Sequence, residues 1–246
     1  MGENDRGAKT EAGMMNLTRH IRRTKTGVPI LSLTQMDALG EAIIADFSPE
    51  RLTEPGEVDI EAITEFYLGL QLDFQFLSCC GKYLGMTVFT DTDKIIIYNP
   101  DKNAADYLKV KGGTVILDST LLVPRRAHPF RFTLGHEAVG HALLHRPYFT
   151  GVRRNPLCQN QGISSYQTQR DWQDIDWLEW QADAMSAAVL LPRAAMYRFV
   201  RRETATADYQ KLPSLARADF LARKLASIAN VAPYTAKLRL KRLKFI

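Results

Sequence analysis

Within six residues, His136-Glu137-Ala138-Val139-Gly140-His141 sets two imidazoles and a carboxylate close together. Two neutral ring nitrogens can hold a divalent metal. A glutamate beside them can take a proton from a metal-activated water, which then attacks a peptide carbonyl. The frequent spacing for this chemistry is H-E-x-x-H, because residues i and i+4 share a helix face. Here the histidines stand at i and i+5. At about 100° per residue the second lies about 140° round from the first, so a regular α-helix keeps the two rings from one ion. A π-bulge of one extra residue restores the facing, and Gly140, just before His141, makes such a distortion cheaper. A rival pair, His141 and His145, has the i, i+4 spacing with Glu137 one turn earlier. His145 could equally sit at a helix end, where a cationic ring is favoured.

A third ligand has to come from another segment. Some forty residues downstream, Leu178-Glu179-Trp180-Gln181-Ala182-Asp183 places two carboxylates at i and i+4 of a helical pattern. Glu179 can complete a metal set while Asp183 accepts the N–H of a ligating histidine and orients its ring. A histidine helix followed by E-x-x-x-D is the thermolysin-like order of ligands. The two halves together are far more specific than scattered acids on a helix.

The elements that must position these residues are legible from periodicity. Helical spacing runs from Leu33 through Met36, Leu39, Ile43, Ile44 and Phe47, and closes at Pro49. A second helix follows Glu54-Pro55-Gly56, with Val58, Ile60, Ile63, Phe66, Tyr67 and Leu70. Four short strands are expected: from Phe74 to Leu77, Tyr83 to Thr90, Lys94 to Tyr98 and Thr114 to Leu117. The tight Asp91-Thr92-Asp93 connection predicts that the second and third pair as a hairpin. The histidines fall on a helix from Phe130 to Arg146, ended by Pro147. Residues 148–173 read as loop, and the acids fall on a helix from about Asp174 to Leu191. Three more helical patterns run from Ala194 to Arg202, Ser214 to Ile228 and Pro233 to Leu243. The fold class expected is α+β, with helices flanking a small sheet.

Of the 246 residues, 46% are apolar and 24% charged, ordinary for a globular protein. A chain of this size can bury a core without a metal or disulfide, so a bound metal is expected to serve chemistry. Three cysteines, two of them adjacent, make no disulfide framework. The opening from Met1 to Lys9 has no apolar stretch of signal-peptide type, and no run approaches the roughly 18 apolar residues of a membrane span. A reducing, cytoplasmic setting without membrane contact is the expectation. The net charge of +5 is uneven: 13 Lys and Arg stand against 3 Asp and Glu from Arg193 to Ile246. The ordinary reading of that tail is a solvated helix face, so nucleic acid is not expected as a direct ligand, and no phosphate loop or zinc-finger spacing supports one.

Several motifs together resemble a known family. Arg131-Phe132-Thr133-Leu134-Gly135-His136-Glu137 is similar to R-F-T-x-A-H-E, and Gly140 to His145 is similar to G-H-x-L-L-H. Glu179 to Pro192 is similar to E-x-E-A-D/N-x-F-A-A-x-L-L-M-P, and the stretch from Leu221 to Ile246 to an ending with R-L-x-x-L-x-x-I. These are motifs of the ImmA/IrrE family of zinc metallopeptidases, often encoded beside phage-type repressors, which the chain resembles from about Leu33 to Ile246. The departures are the extra residue between His-Glu and Gly-His, Gln181 in place of glutamate and Met185 in place of phenylalanine. The six-residue H-E-x-x-G-H resembles the pattern with which the dipeptidyl peptidase III family binds zinc, which implies that the insertion is tolerated.

The resemblance implies a zincin-like fold, with Zn²⁺ held by His136, His141 and Glu179 and with Glu137 as the catalytic base. It further implies an endopeptidase acting on a protein partner, by analogy a helix-turn-helix transcriptional repressor. Three parts are expected: a disordered tail at 1–27, a zincin-like metallopeptidase domain at 28–192 and a basic helical extension at 193–246. The alternative is a catalytically inactive binder on the same scaffold, favoured by the irregular motif and disfavoured by the intact Glu137 and Glu179. Outside this set, Cys79 and Cys80 are expected as buried thiols. Cys158 lies in the loop between the two metal helices. Tyr148 and Tyr166 are candidate oxyanion donors, and Trp172, Trp177 and Trp180 are candidates for core packing.

Overall fold

The computed structural model describes residues 18–151, 157–159 and 171–246, with 157–159 as backbone alone. Two compact units emerge, one of Met1–Ser32 with Ile60–Ser186 and the other of Leu33–Asp59 with Ala187–Ile246. This differs from the expected three-part division: the first long helix joins the C-terminal helices, and the boundary falls after Ser186. Residues 18–27, expected within a disordered tail, are instead part of the first unit. Thr24 and Val28 close a turn (Thr24 N to Val28 O, 2.9 Å), and Arg23 bridges to Pro29. Arg23 also donates to the Leu144 carbonyl at 3.0 Å.

The helix α1 (Leu33–Phe47) belongs to the second unit. In the first, α2 (Ile60–Ala62) runs on as a π-helical stretch, Ile63–Tyr67. Strands β1 (Gln71–Gln75), β2 (Gly85–Val88), β3 (Thr92–Asn99), β4 (Ala104–Val110) and β5 (Thr114–Asp118) follow. After them come α3 (Ala127–Gly135), a π-helical segment His136–His145, the short strand β6 (Leu157–Gln159) and α4 (Asp174–Leu190). The mixed α+β class is as expected.

Strand pairing differs from the hairpin read from the sequence. The four-stranded sheet has the order β1-β5-β2-β6, with β1 parallel to β5 and β2 antiparallel to β5 and β6. β3 pairs instead with β4, a strand the sequence reading missed, through a turn whose Asn103 has φ 47°. Asn tolerates this left-handed conformation, which explains why the chain reverses there and not at Asp91-Thr92-Asp93. Leu77, Met86, Val88, Ile95, Val110 and Ile116 join the sheet and the hairpin in one apolar cluster. A second cluster, Val28, Phe89, Phe149 and Leu178, ties the N-terminal turn to the strands and to α4.

The second unit is helical: α1, α5 (Arg193–Thr204), α6 (Ser214–Ala229) and α7 (Pro233–Arg242). No helix of the described residues is long and apolar enough to cross a membrane.

Candidate metal centre

The backbone resolves the i, i+5 spacing. From His136 to His145 it is π-helical, with the wider i→i−5 bonding pattern that brings residues i and i+5 close to one face. The distortion expected at one residue extends over ten. Pro147 does not end the helical run, because Arg146–Phe149 continues as a turn of α-helix with Pro147 in its first positions, where a missing N–H costs nothing.

Glycines let two helices meet closely here. A Cβ on Gly140 would come within 2.6 Å of the Ala182 Cα, and one on Gly135 within 2.6 Å of the Ser186 Oγ. Ala182 and Ser186 alternate along α4 with Glu179 and Asp183 at three- and four-residue steps, so small residues and acids share one face. The small residues set the approach, and the acids reach the imidazoles. Gly140 is therefore required by proximity more than by backbone freedom.

Among the described residues, His136, His141 and Glu179 form the one group of three metal-ligating side chains, each offering an atom within 4.8 Å of the others. All three are buried. His136 Nε2 lies 3.0 Å from His141 Nε2 and 3.2 Å from Glu179 Oε2, and His141 Nε2 lies 3.4 Å from Glu179 Oε1. These residues could hold a metal ion. Asp183 Oδ1 meets His136 Nδ1 at 2.9 Å. His145 stands outside the triangle. Its Nδ1 is 3.0 Å from His141 Nδ1, and its Nε2 is 3.1 Å from Gln181 Oε1.

Glu137 is fully buried next to this triangle. Thr87 of β2 donates its hydroxyl to Glu137 Oε2 at 2.7 Å, while Oε1 has no hydrogen-bond partner among the described residues. Gly85 leaves the room for this carboxylate, since a Cβ there would sit 2.8 Å from Glu137 Cγ and 2.9 Å from its Oε1. Neither Gly85 nor Thr87 carries a signal in the sequence. They meet Glu137 across about fifty positions, through a strand pairing that no local pattern encodes.

The charges in the site are strongly coupled. Burial lowers the His136 pKa, but hydrogen bonds to Asp183 and Glu179 and the nearby carboxylate charges outweigh it and lift the ring to about 10. Burial raises Glu179, but its bonds to His136 and His141 prevail and hold it well below the usual range. Glu137 is pushed up, chiefly by burial. His145 is driven well down by burial and by the His141 charge, and is neutral.

The remaining candidates divide. Cys79 and Cys80 are exposed, not buried thiols. The Cys158 side chain and Tyr166 lie outside what is described. Tyr148 packs against the Val28–Phe149 cluster. Trp172, Trp177 and Trp180 meet edge-on or tilted, with ring centroids 4.8–6.2 Å apart. Two of them line a cavity of ≈ 420 Å³ whose wall includes Gln181 and Pro29.

Fold and site together define a mixed α+β protein with a buried His-His-Glu centre able to hold a metal. Compared with protein-family models and with curated proteins, the sequence matches none.

Proposed function

We propose that this chain is a zinc-dependent, zincin-like endopeptidase of the ImmA/IrrE type. Its substrate is a protein partner, by the motif resemblance a helix-turn-helix repressor whose cleavage derepresses genes. The observation that carries the reading is the ligand triangle with Glu137 beside it. Zinc bonds of about 2.0–2.2 Å in a tetrahedral array put neighbouring ligand atoms about 3.3–3.6 Å apart. Of the spacings here, 3.4 Å falls in that range, and 3.2 and 3.0 Å lie just below it. The donor set, two imidazoles and a carboxylate, is the kind that leaves a fourth position for water or substrate.

A bound zinc would supply Lewis acidity, lowering the pKa of a water and polarising the scissile carbonyl. The protein does the rest. His136 and His141 present Nε2, and Asp183 fixes the His136 ring by accepting its Nδ1–H. Thr87 holds Glu137 Oε2, so the free Oε1 takes the proton from the attacking water and later gives it to the leaving amine. Burial raises the Glu137 pKa, which suits a group that must act first as base and then as acid.

The test rests on Glu137→Gln, which keeps size and loses the proton acceptor. Zinc content by elemental analysis and the fold should be retained, while cleavage of a neighbouring repressor falls by roughly 10²–10⁴-fold. If the wild type holds zinc, binds the repressor as tightly as the Gln variant does and cuts nothing, the chain is a binding module and the peptidase reading is wrong.

A further inference from the structure

The contacts around His141 form a chain of hydrogen bonds with one permitted direction. The Pro29 carbonyl can only accept, so the Gln181 Nε2 that meets it at 2.8 Å donates. That orientation leaves Gln181 Oε1 facing His145, as an acceptor, at 3.1 Å from Nε2. His145 Nε2 must then carry a hydrogen. In a neutral imidazole the other nitrogen is a lone pair, so His145 Nδ1 accepts, and its partner 3.0 Å away, His141 Nδ1, donates. His141 is thereby left with its Nε2 lone pair on the side of His136 and Glu179. The sense of the chain is set at a backbone carbonyl of the N-terminal turn, from outside the metal site.

We infer that His145 is a positioning residue that, anchored through Gln181 on the Pro29 carbonyl, holds His141 in the tautomer and rotation that present Nε2 to the metal. The inference rests on the metal reading above. The two histidine ligands are thus oriented differently, His136 by the carboxylate of Asp183 and His141 by a neutral imidazole. Burial supports the role: His141 and His145 are 0% exposed and Gln181 2%, so water does not compete for these bonds.

The test compares wild type with His145→Phe, His145→Asn and Gln181→Met. Zinc affinity is read by competition with a chromophoric chelator, and folding by thermal unfolding of the metal-free forms. Phe keeps volume and removes the acceptor; loss of an orienting partner should weaken zinc by roughly 10–100-fold. Asn puts an oxygen where Nδ1 was, accepts from His141, and should bind zinc within a fewfold of wild type even though it loses the Gln181 contact. Gln181→Met unties the far end and should weaken zinc less than Phe does. Long-range ¹⁵N–¹H spectra of zinc-loaded wild type should show His145 protonated at Nε2 and bare at Nδ1. Equal zinc affinity in wild type and His145→Phe, or a His145 hydrogen on Nδ1, overturns this inference and leaves the metal reading intact. Losses in Phe and Asn alike, tracking a lower Tm, make His145 structural and overturn it too. A wild type that takes up no zinc overturns both.

Discussion

At the level of single residues, a metal held at the candidate centre would compete with protons. The carboxylates of Asp183, Glu179 and Glu137 that favour a cation on the metal triangle also favour a proton on His136, whose pKa stands at about 10 in the metal-free protein, against an ordinary 6.5. A raised pKa contributes stability that is complete below about 6.5 and is lost as pH climbs through about 10. The metal-free protein should therefore lose thermal stability between pH 7 and 10. His136→Gln should lose less over the same span, because it has no proton to give up. Zinc-loaded protein should lack this component, since a ring that ligates zinc through Nε2 is already neutral across that pH span. Parallel Tm profiles for metal-free wild type and His136→Gln would show that the His136 proton is not held by its carboxylates.

Among the elements, the contact of the π-helical segment with α4 decides whether four side chains converge. A methyl on Gly140 would collide with both the Cβ (2.5 Å) and the Cα (2.6 Å) of Ala182. Overpacking of this kind costs typically 1–3 kcal/mol, and here it also moves the imidazoles away from Glu179. Gly140→Ala should lower stability and zinc affinity together. Adding Ala182→Gly should recover part of both, since the Cα remains in the way. A Gly140→Ala protein with unchanged zinc affinity would show that the helices can part without moving the ligands. The helices were the most legible part of the fold: the runs that became α1, α4, α5, α6 and α7 are long enough for the 3.6 period to repeat several times. His136, Glu137, His141, Glu179 and Asp183 could be named because their types and spacings are local. What could not be read is what depends on distant pairing. β4 opens on Ala104-Ala105 and alternates with Asp106 and Lys109 on a largely exposed hairpin, so it lacks the apolar run that marks a strand. β2 finds its partner in β5 and not in its sequence neighbour, and with that pairing come Gly85 and Thr87 at Glu137. The ten-residue length of the π stretch was hidden as well, because the sequence announced one residue too many without saying how the helix would spread it.

At the scale of the molecule, the candidate metal centre and the basic C-terminal charge belong to different units. Part of that charge is answered inside the second unit, by Lys224 with Glu203, Lys237 with Asp219 and Arg202 with Glu54. The deepest pair is Arg239 with Asp37, at 2.6 Å and with side chains 3% and 7% exposed. It links α7 to α1, and Arg239 Nε also donates to the Leu191 carbonyl at 3.0 Å. Two charges in such a setting are costly to bury, and their mutual attraction offsets that cost only while both are present. Arg239→Met removes the cation, leaves the Asp37 carboxylate buried without a counter-charge, and should destabilise the protein by about 3–5 kcal/mol in urea unfolding. Replacing both, Asp37→Leu with Arg239→Met, should bring stability back close to wild type, because hydrophobic pairs of similar volume substitute for buried ion pairs at little cost. The zinc content of the folded Arg239→Met protein should be unchanged, since His136, His141 and Glu179 all belong to the first unit. A loss below about 1 kcal/mol would mean that Asp37 finds water once its partner is gone. Loss of zinc from protein that is still folded would mean that the helical unit helps to hold the ligands in place.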